Sequence, residues 1–76
     1  MYYVYLIKNS KTGKTYIGST NNLIRRLKEH NKKKPNLIYY EAYKNEKDAR
    51  KREEKLKQRG QTVRRLKERL KYSLVD

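Results

Sequence analysis

A chain of 76 residues with no cysteine is restricted to one small core, without a disulfide framework or a thiolate metal site. Its 22 Lys and Arg stand against 8 acids, a formal net charge of +14, and self-repulsion on that scale in so small a fold points to a polyanionic partner. No apolar run approaches the roughly 18 residues of a membrane span and no signal-peptide pattern opens the chain, so an intracellular, cytoplasmic protein is expected.

Residues 2–7 (YYVYLI) have the β-branched and aromatic composition of a strand. Residues 9–14 (NSKTGK) form a turn cluster, and residues 15–17 (TYI) resume strand character, close enough for an antiparallel hairpin. Gly18 is expected to break that strand, at a tight turn or a close backbone approach. Thr20, Asn21 and Asn22 are candidate caps for a helix over residues 23–30, which residues 31–35 (NKKKP) terminate. Residues 37–40 (LIYY) predict a third strand, residues 46–57 a charged helix stopped near Gly60, and Thr62 a cap for a last helix with the stripe Val63, Leu66 and Leu70. The run Lys32–Lys34 reads as a solvated loop. Residues 1–45 carry ten basic and two acidic groups and residues 46–76 twelve and six, so the positive charge is spread along the chain. The order β-β-α-β-α-α predicts a compact α+β domain over residues 1–76.

Three polar residues break the apolar pattern of these helices. Leu23 and Leu27 set the buried stripe of the first, and Arg26 and His30 fall on or beside it. Ala49 and Leu56 mark the buried side of the second, with Glu53 between them. A carboxylate there must be paired, neutral or bound to a cation. Each has a plain structural account: a salt bridge for Glu53, a snorkelling stem for Arg26, a helix-end position for His30. Three such breaks in one small domain point to a functional site. The aromatic complement is eight tyrosines with no Phe or Trp. Tyr3, Tyr5 and Ile7 share one strand face and Val4 and Leu6 the other. A core role is expected for Tyr2, Tyr39, Tyr43 and Tyr72, and any exposed tyrosine is open to base stacking.

Val4-Tyr5-Leu6 followed by Tyr16-Ile17-Gly18 resembles the two halves of the GIY-YIG nuclease motif. Ser19-Thr20, Asn22-Leu23, Arg26 and His30-Asn31 follow, and Ala49, Glu53, Leu56 and Lys57 match the family's A-x-x-x-E-x-x-L-K helix. The resemblance covers nearly the whole chain and is nearest to the small stand-alone bacterial members. A similar Arg and His pair occurs in the Slx-type structure-selective nucleases. It implies a three-stranded antiparallel sheet flanked by helices, a site on one sheet face, and metal-assisted hydrolysis of DNA. Tyr5 and Tyr16 are then the paired tyrosines, Arg26 the phosphate-binding arginine and Glu53 the single metal ligand. His30 stands where other members carry a tyrosine.

Those residue types suit the chemistry. Water must lose a proton to attack phosphorus and the leaving oxygen must be stabilised. Tyr5 or Tyr16, with His30 assisting or substituting as the base, is expected to carry that proton. Arg26 grips phosphate through a planar fork that lysine lacks, and one carboxylate suits a single Mg²⁺ or Mn²⁺ that keeps most of its waters. The sequence departs from the family in three places: VYL replaces GIY, Ser19 stands where some members carry a catalytic lysine, and the late asparagine of some members has no counterpart. Two other readings are a DNA- or RNA-binding module of the same fold with little cutting, and a basic ribosome-associated protein. Backbone contacts by Lys and Arg in a bacterial nucleoid are expected of a protein with so little surface for reading bases. Oligomeric state, monomer or weak dimer, is left open.

Overall fold

The computed structural model describes residues 1–30, 35–58 and 60–74. Strands β1 (Tyr2–Asn9) and β2 (Thr15–Thr20) form the expected antiparallel hairpin. Asn9 organises its turn: the backbone N–H donates to the Lys14 carbonyl and the carbonyl accepts from Gly13, both at 2.8 Å. Its Oδ1 accepts from the N–H groups of Lys11 and Thr12. Gly13, at φ 75°, takes the left-handed conformation that the turn requires. Strand β3 (Pro35–Tyr43) pairs antiparallel with the other side of β1, giving the order β2-β1-β3. It extends beyond the expected residues 37–40 at both ends. Pairing with β1 overrides the poor strand propensity of Asn36 and Glu41. Pro35 sits at the first strand position, where its missing N–H is tolerated. The loop expected at Lys32–Lys34 lies outside the described residues.

Cross-strand partners project from the same side of a sheet, and successive residues from opposite sides. One face therefore carries Tyr2, Val4 and Leu6 with Ser19 and Ile17 on β2 and Tyr43, Glu41 and Tyr39 on β3. The other carries Tyr3, Tyr5 and Ile7 with Thr20, Gly18 and Tyr16, and with Ala42, Tyr40 and Leu37. A register shift between Leu6 and Ile7 takes up Ile38 as a bulge.

Helix α1 (Leu23–Glu29) lies over the second face. Asn22 caps it, its Oδ1 accepting from the Arg25 N–H at 3.0 Å, and His30 is the C-cap. Helices α2 (Glu46–Gln58) and α3 (Gly60–Arg69) cover the first face. Val4, Ala49, Leu56 and Leu66 are buried between them and the sheet, with Tyr2, Ile17, Tyr39, Tyr43, Val63 and Leu70 packed around. The architecture is α+β in the order β-β-α-β-α-α, followed by one further helical turn, α4 (Lys71–Leu74). The Lys8 ammonium, donating to the Leu74 carbonyl at 2.7 Å, ties that turn to β1.

Three local expectations change. Gly18 does not break β2 but lies within it, paired with Tyr5. Gly60 does not cap α2 from outside but opens α3, so Thr62 falls in the first turn of α3 and is not its cap. Tyr72 is not core: α4 lies past the Val63–Leu66–Leu70 stripe, and the ring is 84% exposed. No helix among the described residues is long and apolar enough to cross a membrane.

Candidate active site

The site begins with Tyr5 on the central strand, opposite Gly18 on one side and Tyr40 on the other. A Cβ at Gly18 would stand 2.6 Å from Tyr5 Cζ and nearer still to the hydroxyl. Glycine is required here because the Tyr5 ring leans across β2 where a side chain would otherwise be. Tyr16 lies two residues before Gly18, opposite Ile7, and projects from the same face as Tyr5. The two tyrosines of the sequence pattern are thus diagonal neighbours on one surface.

Helix α1 delivers Arg26 and His30 to that surface from adjacent turns. Arg26 Nε donates to the Tyr5 hydroxyl at 3.2 Å, and His30 Nε2 lies 3.1 Å from the same oxygen. With Arg26 donating, the Tyr5 proton is directed to Nε2 of a neutral imidazole; an imidazolium would instead donate to the oxygen. The His30 ring meets the Tyr5 ring edge to face at 6.0 Å. Arg26 also donates from Nη1 to Glu29 Oε2 at 2.7 Å. The Tyr5 hydrogen bond first, then that of Glu29, pushes the Arg26 guanidinium above its ordinary value, and the Arg26 bond pulls Glu29 down. Arg26 is therefore a fixed cation, held by its Nε against a mostly buried ring while its Nη1 side faces outward with a carboxylate on it.

Glu53 arrives from the other direction. Ala49 and Leu56 turn α2 so that its carboxylate meets β2, where Oε1 accepts from Ser19 Oγ at 2.7 Å. Oε2 pairs with Lys57 Nζ, one turn on, at 2.9 Å. Burial raises the pKa of this carboxyl, but the hydrogen bonds of Lys57 and Ser19 outweigh it and hold the group below its ordinary value. Ser19 projects with Val4 from the helix-covered face, whereas Gly18 and Tyr5 belong to the other. Tyr5, bonded to Arg26 and His30, thus leans over Gly18 of edge strand β2, and Glu53 bonds to Ser19, the next residue of that strand.

Among the described residues no group of three or more His, Cys, Asp or Glu converges as a metal cage. The test of a metal therefore rests on Glu53 alone. An ionised carboxylate, one oxygen oriented by a hydroxyl and the other on a partly exposed lysine, fits a hard cation that keeps most of its water and displaces the lysine.

Sequence reasoning missed four participants. Ser19 reads as a missing lysine, yet it orients Glu53. Lys57 is only a motif letter until its ammonium is seen on the carboxylate. Glu29 was marked by its spacing of three from Arg26. The fourth is Glu41, which accepts from Tyr39 at 2.9 Å, from Tyr43 and from Arg52 Nε at 3.1 Å. Burial pushes Glu41 up, but these bonds win and its pKa is lowered, while burial and Glu41 push Tyr43 up to about 12. Arg52 immediately precedes Glu53, so this cluster fixes the helix turn that carries the site carboxylate. Adjacency to Glu53 was its only signal in the sequence.

The family model for the GIY-YIG catalytic domain matches residues 1–69. No curated protein and no solved structure gives a significant match.

Proposed function

The chain belongs to the GIY-YIG catalytic domain family, a family of nucleases, and from that premise we propose that residues 1–76 act as one metal-dependent endonuclease that hydrolyses DNA with little sequence specificity and favours single-stranded or structured substrates. The observation that carries this reading is the Tyr5 hydroxyl held between Arg26 and His30. It joins a phosphate-binding cation and a proton acceptor through one oxygen.

In this reading Arg26 exchanges the Glu29 carboxylate for the scissile phosphate and neutralises charge as the attacking oxygen adds. His30 and Tyr5 form a two-member path for the proton of the attacking water, with Tyr16 beside it on the same face. His30 is the better terminal acceptor, because a neutral imidazole nitrogen takes up a proton far more readily than a neutral phenol oxygen. Glu53 would hold one Mg²⁺ or Mn²⁺ per site, which would supply positive charge to offset that of the reacting phosphate. Ser19 holds the Glu53 carboxylate in place for it. The Lys and Arg surface supplies affinity through the backbone of the nucleic acid, which makes binding strongly salt-dependent.

One observation favours a binding-only module: Lys57 already neutralises Glu53. Labelled single-stranded, duplex and branched DNA, incubated with Mg²⁺ or Mn²⁺, separates the two. Cutting that both EDTA and Glu53→Ala abolish supports the nuclease. Binding of every substrate with no product supports the module, with lysine in place of the metal.

A further inference from the structure

Under the first turn of α1, one helical turn before Arg26, the second face opens into a groove of about 330 Å³, lined by Tyr3, Asn21, Asn22, Leu23, Ile24 and Tyr40. We propose that this groove receives an unpaired nucleobase of the substrate strand, next to the phosphate held at Arg26. The inference rests on the nuclease reading and names the class of substrate that the site selects.

Its walls are aromatic on one side and aliphatic on the other. Tyr40 stands directly opposite Tyr5 across the β1–β3 pair, and its ring meets Tyr3 edge to face at 5.9 Å and 65°. Tyr40 is 52% exposed and Ile24, across the groove, 70% exposed. Folding gains little from leaving two large apolar side chains open to water on the same groove, and exposed apolar surface gathered in one place marks a contact site. Among the described residues no Lys or Arg lines the groove, in a chain where 22 of the 76 residues are basic. The groove is thus built for an uncharged flat group, in a surface otherwise built for phosphate. At its rim, Asn21 Oδ1 accepts from Arg25 Nη2 and Asn22 Oδ1 from the Arg25 N–H. Those bonds turn the two carboxamides so that their N–H₂ groups are the donors left for base edges.

The position selects the occupant. Tyr3 and Tyr5 are two residues apart on one strand face, roughly 7 Å along β1, so a chain with a phosphate at Arg26 has its neighbouring nucleoside at the groove. A base stacked inside a duplex has both faces covered and cannot enter. One that is single-stranded, at a fork or displaced offers a face to tyrosine without a sequence requirement.

The test uses binding in EDTA, where no cutting intervenes. An oligonucleotide carrying 2-aminopurine is compared as a single strand and as a full duplex. The proposal predicts that the wild type quenches the fluorophore in the single strand only. Tyr40→Ala removes the quench and weakens single-strand binding by about tenfold while leaving duplex binding unchanged. Tyr40→Phe retains both, and Ile24→Ser weakens both in the single strand. Equal weakening of single strand and duplex, or a quench unaffected by Tyr40→Ala, overturns it. A change in oligomeric state with Tyr40→Ala and no change in quench also overturns it, in favour of a second copy of the chain. A Tyr40-dependent quench in a protein that cuts nothing with Mg²⁺ upholds the groove while the nuclease reading fails.

Discussion

The two faces of the sheet use similar residues to opposite ends. Under α2 and α3, Val4, Leu56 and Leu66 are buried, and the one carboxylate on the sheet, Glu41, takes hydrogen bonds from Tyr39, Tyr43 and Arg52. Under α1 the cover is thin: that helix contributes no buried residue, Ile24 and Tyr40 are open, and the Tyr5 hydroxyl is committed to groups of opposite chemical purpose, a cation and an imidazole. Tyr39 and Tyr43 on the first face end in an internal acceptor and complete the packing. Tyr5 on the second ends in the Arg26 guanidinium and the His30 imidazole. The difference lies in what the phenolic oxygen meets, and in the proposed function it separates stability from activity across a single layer of backbone.

Substitutions of comparable size should therefore have very different consequences on the two sides. Leu56→Ala, at a residue 2% exposed, should cost about 2–5 kcal/mol and leave much of so small a protein unfolded in denaturant titrations. Gly18→Ala comes next, at about 1–3 kcal/mol. The added methyl must displace Tyr5, so cleavage should fall much further than melting temperature, and an activity loss no greater than the unfolded fraction would contradict the close approach. Ile24→Ser, apolar but open, should shift stability by no more than about 0.5 kcal/mol.

Between these extremes lies the Glu41 cluster, whose contribution depends on pH. Its folded pKa is below the ordinary 4.5, so the unfolded chain takes up the proton first. The stabilisation is complete above 4.5 and declines as pH falls through the lower folded value. Tyr43, raised from 10 to about 12, acts at the other end. The unfolded chain loses that proton first, so stability should fall between pH 10 and 12. Glu41→Gln should cost about 1–2 kcal/mol at neutral pH and flatten the acid limb, as melting curves across pH would record.

Much of this was legible from the residues in order. The hairpin, the helices and the polar breaks at Arg26, His30 and Glu53 follow from periodicity within single elements, and the pair Tyr5 and Tyr16 from the family resemblance. What periodicity does not give is register between elements. The pairing of Tyr5 with Gly18 and Val4 with Ser19 decides that Glu53 bonds to the residue of β2 next to the one Tyr5 leans over. The extension of β3 through Glu41 was hidden because a glutamate inside a strand is unfavourable until Tyr39, Tyr43 and Arg52 surround it. Tyr72 misled for the converse reason: its composition suggests burial, but the helical turn that carries it lies beyond the core.

The most direct test of the central claim, that the Tyr5 hydroxyl couples Arg26 to His30 as working parts of a nuclease, is Tyr5→Phe. Cleavage of single-stranded DNA with Mg²⁺ and thermal unfolding should be measured on the same preparation. The ring and its packing remain and only the bridging oxygen is lost. The expected result is a cleavage rate lower by about a hundredfold or more with stability changed by about 1 kcal/mol or less. Full cleavage by Tyr5→Phe would place the chemistry elsewhere and leave the contacts with Arg26 and His30 as packing alone.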